Sequence, residues 1–388
     1  MAAPTGPRAR PCHAPSDALR IERSTDGSLR YFRAASSAPE EFSYRKPFLL
    51  EMEITRRCNL SCVHCYAQAT EKGLAEELTL EEIRRVLREG AELGIGELSL
   101  TGGEVLLRPD FLAIIDIAAD LGYALRFVTN ATLLTDELLE HLCRRPIKLI
   151  TVSLDSLGTA PHESIRGVGS HAPALRNLLR LKAAGFALSV ITAFSRLNLT
   201  EFDRLLDFCL RHRLNWQVQL TAAKGRCEKS LTLSPDEYYA LGEKVAEAYV
   251  ARLPIRVIPM DDLATFSHFP PLSRLSETWQ GGCTGGLLTL FVRADGQVTP
   301  CSALCFAETV VGNIRLDSLR AICEEERCRK LLSWLTSEQL TGVCAQCPFR
   351  RECNGGCPEM LLAMCRSRTE NEYCYHRIEQ SRILEEIV

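Results

Sequence analysis

The chain has 388 residues, of which 46% are hydrophobic and 24% charged, so it can bury a core and is not a disordered chain. Its 46 basic and 49 acidic residues give a net charge of -3, which offers no reason to expect a nucleic acid or an anionic membrane as partner. No apolar run approaches the ~18 residues of a membrane span, and the N-terminus lacks the apolar stretch of a secretory signal. We therefore expect a cytoplasmic protein.

The first segment of the chain is predicted to be a tail followed by a hairpin. The Pro- and Arg-rich start is typical of a disordered tail. Leu19–Phe32 then alternates apolar and polar residues around Asp26-Gly27, which predicts a β-hairpin. We assign residues 1–45 to this N-terminal segment.

From Phe48 onward, strand and helix patterns alternate six times. The first unit pairs Leu49–Thr55 with Leu80–Leu93, and the sixth pairs Asn215–Thr221 with Pro235–Ala251. Such alternation is typical of parallel strands joined by right-handed helical crossovers. Because eight units are needed to close a full barrel, both an open partial barrel and a doubly wound sheet fit this pattern.

A different pattern begins near residue 255. Cysteine, glycine and proline become frequent and the helical patterns shorten. Leu287–Val298 predicts a second hairpin that turns at Asp295-Gly296. We predict a boundary here, with the alternating units in residues 46–254 and a small cysteine-rich, metal-stapled domain in residues 255–388.

Cysteine is unusually abundant, with 18 residues in the chain. Three lie between Cys58 and Cys65, and eleven lie between Cys283 and Cys374. In a reducing compartment such clusters are expected to be thiols or metal ligands rather than disulfides.

The first cluster, Cys58, Cys62 and Cys65, has the spacing C-x3-C-x2-C and follows the first predicted strand directly. This places it at the carboxyl edge of a parallel sheet, where ligands bind. Three thiolates on one loop can hold three corners of a four-iron, four-sulfur cube and leave the fourth iron open. The alternative is a structural zinc site with a ligand such as His64, which would make the protein a zinc-stapled binding module.

Together with Thr101-Gly102-Gly103-Glu104 at the end of the second strand, this loop resembles the radical S-adenosylmethionine superfamily over about residues 48–221. The resemblance implies a partial (β/α)6 TIM-like barrel and an enzyme that cleaves S-adenosylmethionine reductively to a 5′-deoxyadenosyl radical. It also implies that Gly102, Gly103 and Glu104 meet the amino group of the cofactor, as a carboxylate can pair with an ammonium group.

Further cofactor contacts are predicted along the same edge. By the resemblance, Arg166 pairs with the carboxylate of the cofactor, and His64 stacks near its adenine. Asn130, Ser153 and Asp155 end the third and fourth strands, where a ribose or carboxylate would lie. The alternative for each of these is a helix cap, a surface charge or an ordinary loop residue.

The second cluster resembles the SPASM domain, the auxiliary-cluster module of peptide-modifying radical enzymes. Twelve residues separate Cys283 from Gly296 and four separate Gly296 from Cys301, after which a C-x2-C-x5-C-x3-C run begins at Cys344 and Cys374 closes the set. The resemblance implies one or two auxiliary four-iron clusters. The first would be held completely by Cys344, Cys347, Cys353 and Cys374. The second would be held at three irons by Cys283, Cys301 and Cys357, with an open iron, Cys305 or a distant residue as the fourth ligand.

The resemblance implies a radical maturase that modifies a ribosomally made peptide through a crosslink, a thioether or a related oxidation. The expected partners are a precursor peptide or protein, a separate leader-binding protein, and an electron donor such as flavodoxin or ferredoxin. Two alternatives are a tetrapyrrole or other small-molecule substrate and a sulfatase-maturase-like activity. Ser302 counts against the latter, because sulfatase maturases carry a catalytic aspartate directly after the second SPASM cysteine. No residue of this chain is assigned as the catalytic acid or base.

Overall fold

The computed structural model describes residues 19–23, 29–33, 47–259, 267–272, 283, 285–324, 327, 337–367 and 369–387. Strands β1 (Leu19–Arg23) and β2 (Leu29–Arg33) form a separate antiparallel pair, with Leu19 opposite Arg33. The predicted N-terminal hairpin is therefore confirmed in its strands. Its turn, the predicted tail and the linker after it lie outside the described residues.

Six strand–helix units follow. The strands are β3 (Leu49–Glu53), β4 (Glu97–Thr101), β5 (Ala124–Thr129), β6 (Ile147–Ser153), β7 (Leu188–Phe194) and β8 (Asn215–Leu220). The helices are α1 (Leu80–Glu92), α2 (Phe111–Asp120), α3 (Asp136–Cys143), α4 (Thr159–Arg166), α5 (His171–Ala183), α6 (Phe202–His212) and α7 (Pro235–Val250). Capping boxes begin α1 at Thr79 and α7 at Ser234. In each box, the N-cap side chain accepts from the backbone N–H three residues on, and the glutamate at that position accepts from the backbone N–H of the N-cap residue.

Strands β3 to β8 lie side by side in chain order, and each pairs parallel with the next. This is the predicted (β/α)6 arrangement, open at both ends. Strand β9 (Val257–Pro259) adds beyond β8, and β10 (Thr289–Val292) pairs parallel with β3 at the other end. The sheet thus continues on both sides of residue 254, where we placed a domain boundary.

The two faces of the sheet differ in polarity. On β3, Leu50 and Met52 are fully buried against the helices, as are Leu98 and Leu100 on β4. The intervening residues on these strands are polar, beginning with Glu51. Because side chains alternate along a strand, these polar residues share the inner face of the partial barrel.

The C-terminal region is built from short elements. Strand β11 (Gln297–Thr299) completes the predicted hairpin with β10, and β12 (Gly312–Asn313) pairs with β11. Helices α8 (Leu319–Glu324), α9 (Gly342–Gln346), α10 (Arg350–Cys353) and α11 (Tyr375–Ile387) follow. In the described part of the chain, no helix is both long and apolar enough to span a bilayer.

The sequence reading missed helix α4. It has only eight residues between Gly158 and Gly167, and Gly167 has a φ of 111°. Eight residues give only about two turns of helical periodicity, so the sequence pattern does not predict a separate helix between β6 and α5. Its position matters because it carries Arg166 to the edge of the sheet.

Helix α4 also buries His162, and this predicts a loss of stability in acid. Burial lowers the pKa of His162 to about 4, and the nearby Arg166 charge acts in the same direction. The unfolded chain takes up a proton near its ordinary pKa of 6.5, whereas the folded chain does so only near 4, so stability falls as the pH falls between these values. From about pH 7.5 to about pH 5.5, this histidine should lower the free energy of unfolding by about 1 kcal/mol.

Urea denaturation at the two pH values measures this contribution. His162→Gln should show a pH dependence smaller by about that amount, since its amide does not titrate. An equal loss in the variant and in the wild-type protein would contradict the assignment.

Candidate active site

The first cysteine cluster lies on a loop that leaves the carboxyl end of β3. The N–H of Cys58 donates to the carbonyl of Thr70 at 2.8 Å, and the N–H of Val63 donates to the carbonyl of Ile165 at 2.9 Å. The Cys62 thiol lies 3.9 Å from the carbonyl oxygen of Arg166. The end of α4 therefore packs directly against this loop.

The three thiols share one environment. Cys58 and Cys62 are buried and Cys65 is half-buried. The pKa of Cys58 is raised to about 12, mainly by burial, and the nearby Glu104, Cys62 and Cys65 act in the same direction. Burial also raises the pKa of Cys62, although Arg166 opposes this. Thiols placed this way ionise only when a positively charged centre binds them, which is what metal ligation provides.

Gly102 and Gly103 lie where β4 meets the strand that enters the cysteine loop. A Cβ atom on Gly102 would lie 2.5 Å from the carbonyl oxygen of Thr55, and one on Gly103 would lie 2.3 Å from that of Arg57. The N–H of Gly103 donates to Thr55 at 2.7 Å. Close packing against the backbone of Thr55 and Arg57 therefore requires glycine at both positions, in addition to the predicted cofactor contact.

This crowding predicts the effect of a single methyl group. Gly103→Ala should displace the backbone at Arg57 and lower the iron bound at the first cysteine cluster after anaerobic reconstitution, because a contact under 3 Å with backbone forces movement. Gly96→Ala, at the other end of β4, is the matched control, since nothing lies within 4 Å of its added Cβ. Equal iron content in the two variants would contradict the prediction.

Glu104 is a buried carboxylate beside the loop, 1% exposed. It accepts from the Thr129 hydroxyl at 2.6 Å, from the Asn130 N–H at 2.7 Å and from the Leu106 N–H at 3.1 Å. Burial raises its pKa, while these hydrogen bonds oppose the rise. Among the described residues, no cation is within hydrogen-bond distance of this carboxylate. An ammonium group of a ligand would complete its surroundings.

Asn130 ties the end of β5 to the cysteine loop. Its amide donates to the side chain of Asn59 at 3.0 Å, and its carbonyl oxygen accepts from Thr132. Asn130 is therefore brought to the predicted edge beside Glu104, with its side chain held by protein groups.

One hydrogen-bonded network joins Asp155, His64 and Arg166, which the sequence predicts as separate cofactor contacts. One oxygen of Asp155 accepts from Arg166 Nε at 2.6 Å and lies 2.9 Å from His64 Nε2, and the other accepts from the Ala193 N–H at 3.0 Å. Although burial opposes ionisation, Arg166 and His64 hold the pKa of Asp155 well below its usual range. Asp155 thereby fixes the orientation of the other two side chains.

This network leaves part of Arg166 open to a ligand. Its Nε is used by Asp155, and among the described residues no hydrogen bond reaches its terminal nitrogens. Asp155 raises the pKa of Arg166 although burial opposes this, so the guanidinium remains charged. Ser153, at the end of β6, lies at the same edge and is buried.

The hairpin of β10 and β11 brings together two cysteines of the second cluster. Cys301 follows β11, and burial together with the neighbouring Cys283 raises its pKa well above the usual value. The Gly285 N–H lies 3.4 Å from the Cys283 sulfur. Because β10 pairs with β3, these cysteines sit beside the strand that leads to the first cluster. Cys357 comes later, directly after a turn and immediately before the helical segment that includes Met360–Cys365.

The remaining cysteines gather around α9 and α10. Cys344 lies in the middle of α9, Cys347 directly follows this helix, and Cys353 ends α10. The Asn371 N–H points at the Cys344 sulfur at 3.4 Å, which brings the segment leading to Cys374 next to this group. Asn371, three residues before Cys374, is thus adjacent in space to Cys344, while the common ligand set stays a prediction.

The first cysteine loop has the donor set that an iron–sulfur cube takes. A cube-shaped cluster takes one thiolate at each iron corner. Cys58, Cys62 and Cys65 place three buried or half-buried thiols on one loop. Among the described residues, no three Cys, His, Asp or Glu side chains converge on one point.

Sequence reasoning overlooked several charged residues inside the barrel. Glu51 and Glu53 lie on the inner face of β3, and burial raises the pKa of both. Lys224 and Arg226 follow β8, and the Arg226 side chain donates to the carbonyl oxygens of Cys62 and Ala69 at 3.0 and 2.6 Å. Two sequence features could have indicated these residues, namely the alternating glutamates in Leu-Leu-Glu-Met-Glu and the two basic residues after the sixth strand.

Comparison with known families agrees with these arrangements. Residues 52–209 match the radical SAM superfamily, and residues 283–348 match SPASM, an iron–sulfur cluster-binding domain. An AdoMet-dependent heme synthase from Methanosarcina barkeri is 30% identical over 349 residues, which cover 85% of this chain and 97% of that protein. The mycofactocin maturase of Mycobacterium tuberculosis is 25% identical over 316 residues, covering 80% and 78%.

A similar fold occurs in a solved structure. SuiB from Streptococcus suis, bound to S-adenosylmethionine, superposes with a TM-score of 0.69 at 18% identity, over 85% of this chain and 77% of that one. Another structure of SuiB is described as bound to its precursor peptide SuiA. At this identity, the likeness concerns the fold.

Proposed function

The chain belongs to the radical S-adenosylmethionine superfamily and carries a SPASM domain, and on this premise we propose that it oxidatively modifies a ribosomally made peptide. It is an enzyme that binds a four-iron, four-sulfur cluster and S-adenosylmethionine. When bound, the cluster supplies the electron that cleaves this cofactor to a 5′-deoxyadenosyl radical, which abstracts a hydrogen atom from the substrate. The protein residues orient the groups and exclude water.

Each residue at the edge of the sheet receives a proposed role. Cys58, Cys62 and Cys65 would ligate three irons. Glu104 would bind the amino group of the cofactor, because it is buried and lacks a cation partner among the described residues. Arg166 would bind the cofactor carboxylate through its terminal nitrogens, with Asp155 holding its Nε. His64, held by Asp155, would border the adenine.

The other predicted contacts have supporting roles. Asn130 and Ser153 would line the ribose region, and Gly102 and Gly103 would admit the methionyl part beside the cysteine loop. The auxiliary ligand sets are proposed as Cys283, Cys301 and Cys357 for one cluster and Cys344, Cys347, Cys353 and Cys374 for the other. Residues 46–254 are proposed as the radical domain and 255–388 as the auxiliary domain.

The observation that carries the proposed oxidation is the pairing of β10 with β3. It places the loops of Cys283 and Cys301 at the inner face of the barrel, beside Glu51, whose carboxylate accepts from the Ser302 N–H at 3.3 Å. A substrate held there lies between the first cysteine cluster and the auxiliary ligands. An electron released by an oxidised product would have an acceptor close by.

Charge pairing at this edge favours a peptide over a polycarboxylate substrate. Lys224 is paired with Glu359, and Arg226 is bound to backbone carbonyl oxygens. Arg166 is paired with Asp155 through its Nε, and its terminal nitrogens are assigned to the carboxylate of the cofactor. These buried cations are thus engaged by the protein or by the cofactor, whereas a tetrapyrrole with several carboxylates would require further free ones.

A tetrapyrrole substrate is the second candidate. The observation in its favour is the 30% identity to a heme synthase, which extends over 97% of that relative. The reducing partner would be a flavodoxin or ferredoxin in either case, and a separate leader-binding protein belongs only to the peptide candidate.

Anaerobic turnover separates the two candidates. The reconstituted enzyme is incubated with dithionite and S-adenosylmethionine, together with either peptides encoded beside its gene or an iron-bound tetrapyrrole carboxylate. A peptide that loses two hydrogens, with 5′-deoxyadenosine formed in step, supports the proposal. A mass change in the tetrapyrrole with all peptides unchanged would overturn it in favour of the second candidate.

A further inference from the structure

Lys224 lies where three functional loops meet. Its ammonium nitrogen donates to the carbonyl oxygen of Ala303 at 2.7 Å, between Cys301 and Cys305. It forms an ion pair with Glu359, two residues after Cys357. It also lies 5.0 Å from the ring centre of Tyr66, which directly follows Cys65. One side chain therefore contacts the loops of both cysteine clusters.

The backbone around Lys224 is fixed by the first cysteine loop. The Arg226 N–H donates to the carbonyl oxygen of Cys65 at 3.0 Å. Gly225 has a φ of 61°, and a Cβ on it would lie 2.4 Å from that same oxygen. Only glycine fits this approach, so the loop holds Lys224 in place from the side of the first cluster.

The charge of Lys224 is maintained in spite of its burial. Its side chain is 13% exposed, and that of Glu359 is 8% exposed. Burial alone would lower the pKa of Lys224, but Glu359 and the thiols of Cys305 and Cys301 raise it above the usual value. A buried positive charge thus lies close enough to the Cys301 and Cys305 sulfurs to interact with them electrostatically. In such a low-dielectric setting, a charge has a strong effect on its neighbours.

Cys305 lies on the same loop as Cys301. Its thiol donates to the carbonyl oxygen of Ser302 at 3.0 Å. Burial raises its pKa to about 11, while Lys224 is the charge that most opposes this. The Lys224 ammonium therefore interacts with this loop at the Ala303 carbonyl oxygen and at the Cys305 thiol.

We propose that Lys224 is a positioning residue that raises the electron affinity of the auxiliary cluster held by Cys283, Cys301 and Cys357. Added electrons increase the negative charge of a cluster and its thiolates, and a nearby fixed cation stabilises that reduced form. Glu359 partly offsets this effect through its own negative charge. The inference rests on the proposed ligand set, and it is independent of which substrate the enzyme modifies.

A redox titration without substrate tests the proposal. The full-length protein carries Cys58→Ala, Cys62→Ala and Cys65→Ala, so that the electron paramagnetic resonance signals come from the auxiliary sites. Lys224→Met in this background should lower the electron affinity of one auxiliary cluster at least tenfold, a shift of about 59 mV to lower potential for one electron. Lys224→Arg should stay near the parent value, because it keeps the charge.

Two comparisons separate an electrostatic role from a merely structural one. Glu359→Gln removes the opposing charge and should shift the same midpoint upward. Lys244→Met is the matched control, because Lys244 also pairs with a carboxylate, Asp203, and lies 5.5 Å from the ring centre of Phe202, but on outer helix α7. It should leave every midpoint unchanged.

Specific results would overturn the proposal. These are an unchanged midpoint in Lys224→Met, downward shifts in both Lys224→Met and Glu359→Gln, or no iron retained in the parent triple-alanine protein. Should Lys224→Met fail to hold its clusters, the direction of the Glu359→Gln shift decides. None of these measurements involves peptide or tetrapyrrole turnover, so a failure here is distinct from a failure of the proposed function.

Discussion

Cys62→Ala is expected to abolish the formation of 5′-deoxyadenosine from S-adenosylmethionine. Cys62 lies at the centre of the C-x3-C-x2-C loop, buried beside Cys65 and the carbonyl oxygen of Arg166. Without its thiolate, one iron corner loses its protein ligand, and the cluster that provides the electron is lost or inactive. Chromatographic measurement of 5′-deoxyadenosine after anaerobic incubation with dithionite should show only the level obtained without enzyme.

Cys143→Ala supplies the control for this experiment. Cys143 ends helix α3 and is exposed, far from the edge where the loop lies. Its replacement should leave both iron content and 5′-deoxyadenosine formation at the wild-type level. Persistent activity in Cys62→Ala, with activity also intact in Cys143→Ala, would refute the assignment of the first cluster.

Glu104→Gln is expected to weaken the binding of S-adenosylmethionine by about 10- to 100-fold. The carboxylate is buried and hydrogen-bonded, and its neutral amide keeps the shape but loses the charge that pairs with an ammonium group. Hydrogen bonds to charged groups contribute about 1.5–3 kcal/mol, and each ~1.4 kcal/mol corresponds to a factor of ten. Titrating S-adenosylmethionine against the electron paramagnetic resonance signal of the reduced cluster gives the dissociation constant.

Glu140→Gln is the control for this measurement, because it changes a carboxylate outside the site. Glu140 is largely exposed on α3 and pairs with Arg144, so this variant should bind S-adenosylmethionine as the wild-type protein does. Iron content should be equal in both variants, which keeps an effect on the cofactor apart from loss of the cluster. An unaltered dissociation constant in Glu104→Gln would remove the proposed role of this residue.

The β10–β3 pairing gives the two cysteine regions a common frame. A parallel ladder from Thr289 opposite Leu49 to Val292 opposite Met52 joins them. The Ala294 N–H also donates to Glu53 at 3.0 Å, and the Ser302 N–H donates to Glu51. The segment from Thr289 to Ser302, which includes Cys301, therefore cannot move far from the barrel without breaking hydrogen bonds to its first strand.

Much of the fold could be predicted from local patterns. The six strand–helix units are where the alternating and 3.6-residue periods place them. The strands of both predicted hairpins pair antiparallel. Helix α4 was missed because two turns between glycines give too little periodicity, and it is this helix that carries Arg166.

The candidate site was predictable in residue types but not in its contacts. Cys58, Cys62 and Cys65 lie on one short loop, so their spacing is evident from the sequence. Asp155 and Arg166 were predicted as separate cofactor contacts, and the structure shows them bound to each other, with His64 completing the network. The alternation of glutamates along β3 indicates a polar face in the sequence. Only the complete sheet shows that this face points into the barrel.

The order of residues by itself thus determined the six strand–helix units, the strands of the two hairpins and the two groups of cysteines, because these depend on periodicities and spacings within a few turns of chain. Tertiary structure alone decided which charges meet. His64 reaches Asp155 across 91 positions, and Lys224 reaches Ala303 across 79. Such contacts arise when the carboxyl ends of parallel strands converge on one edge, and no local pattern records which of many polar residues will be neighbours there.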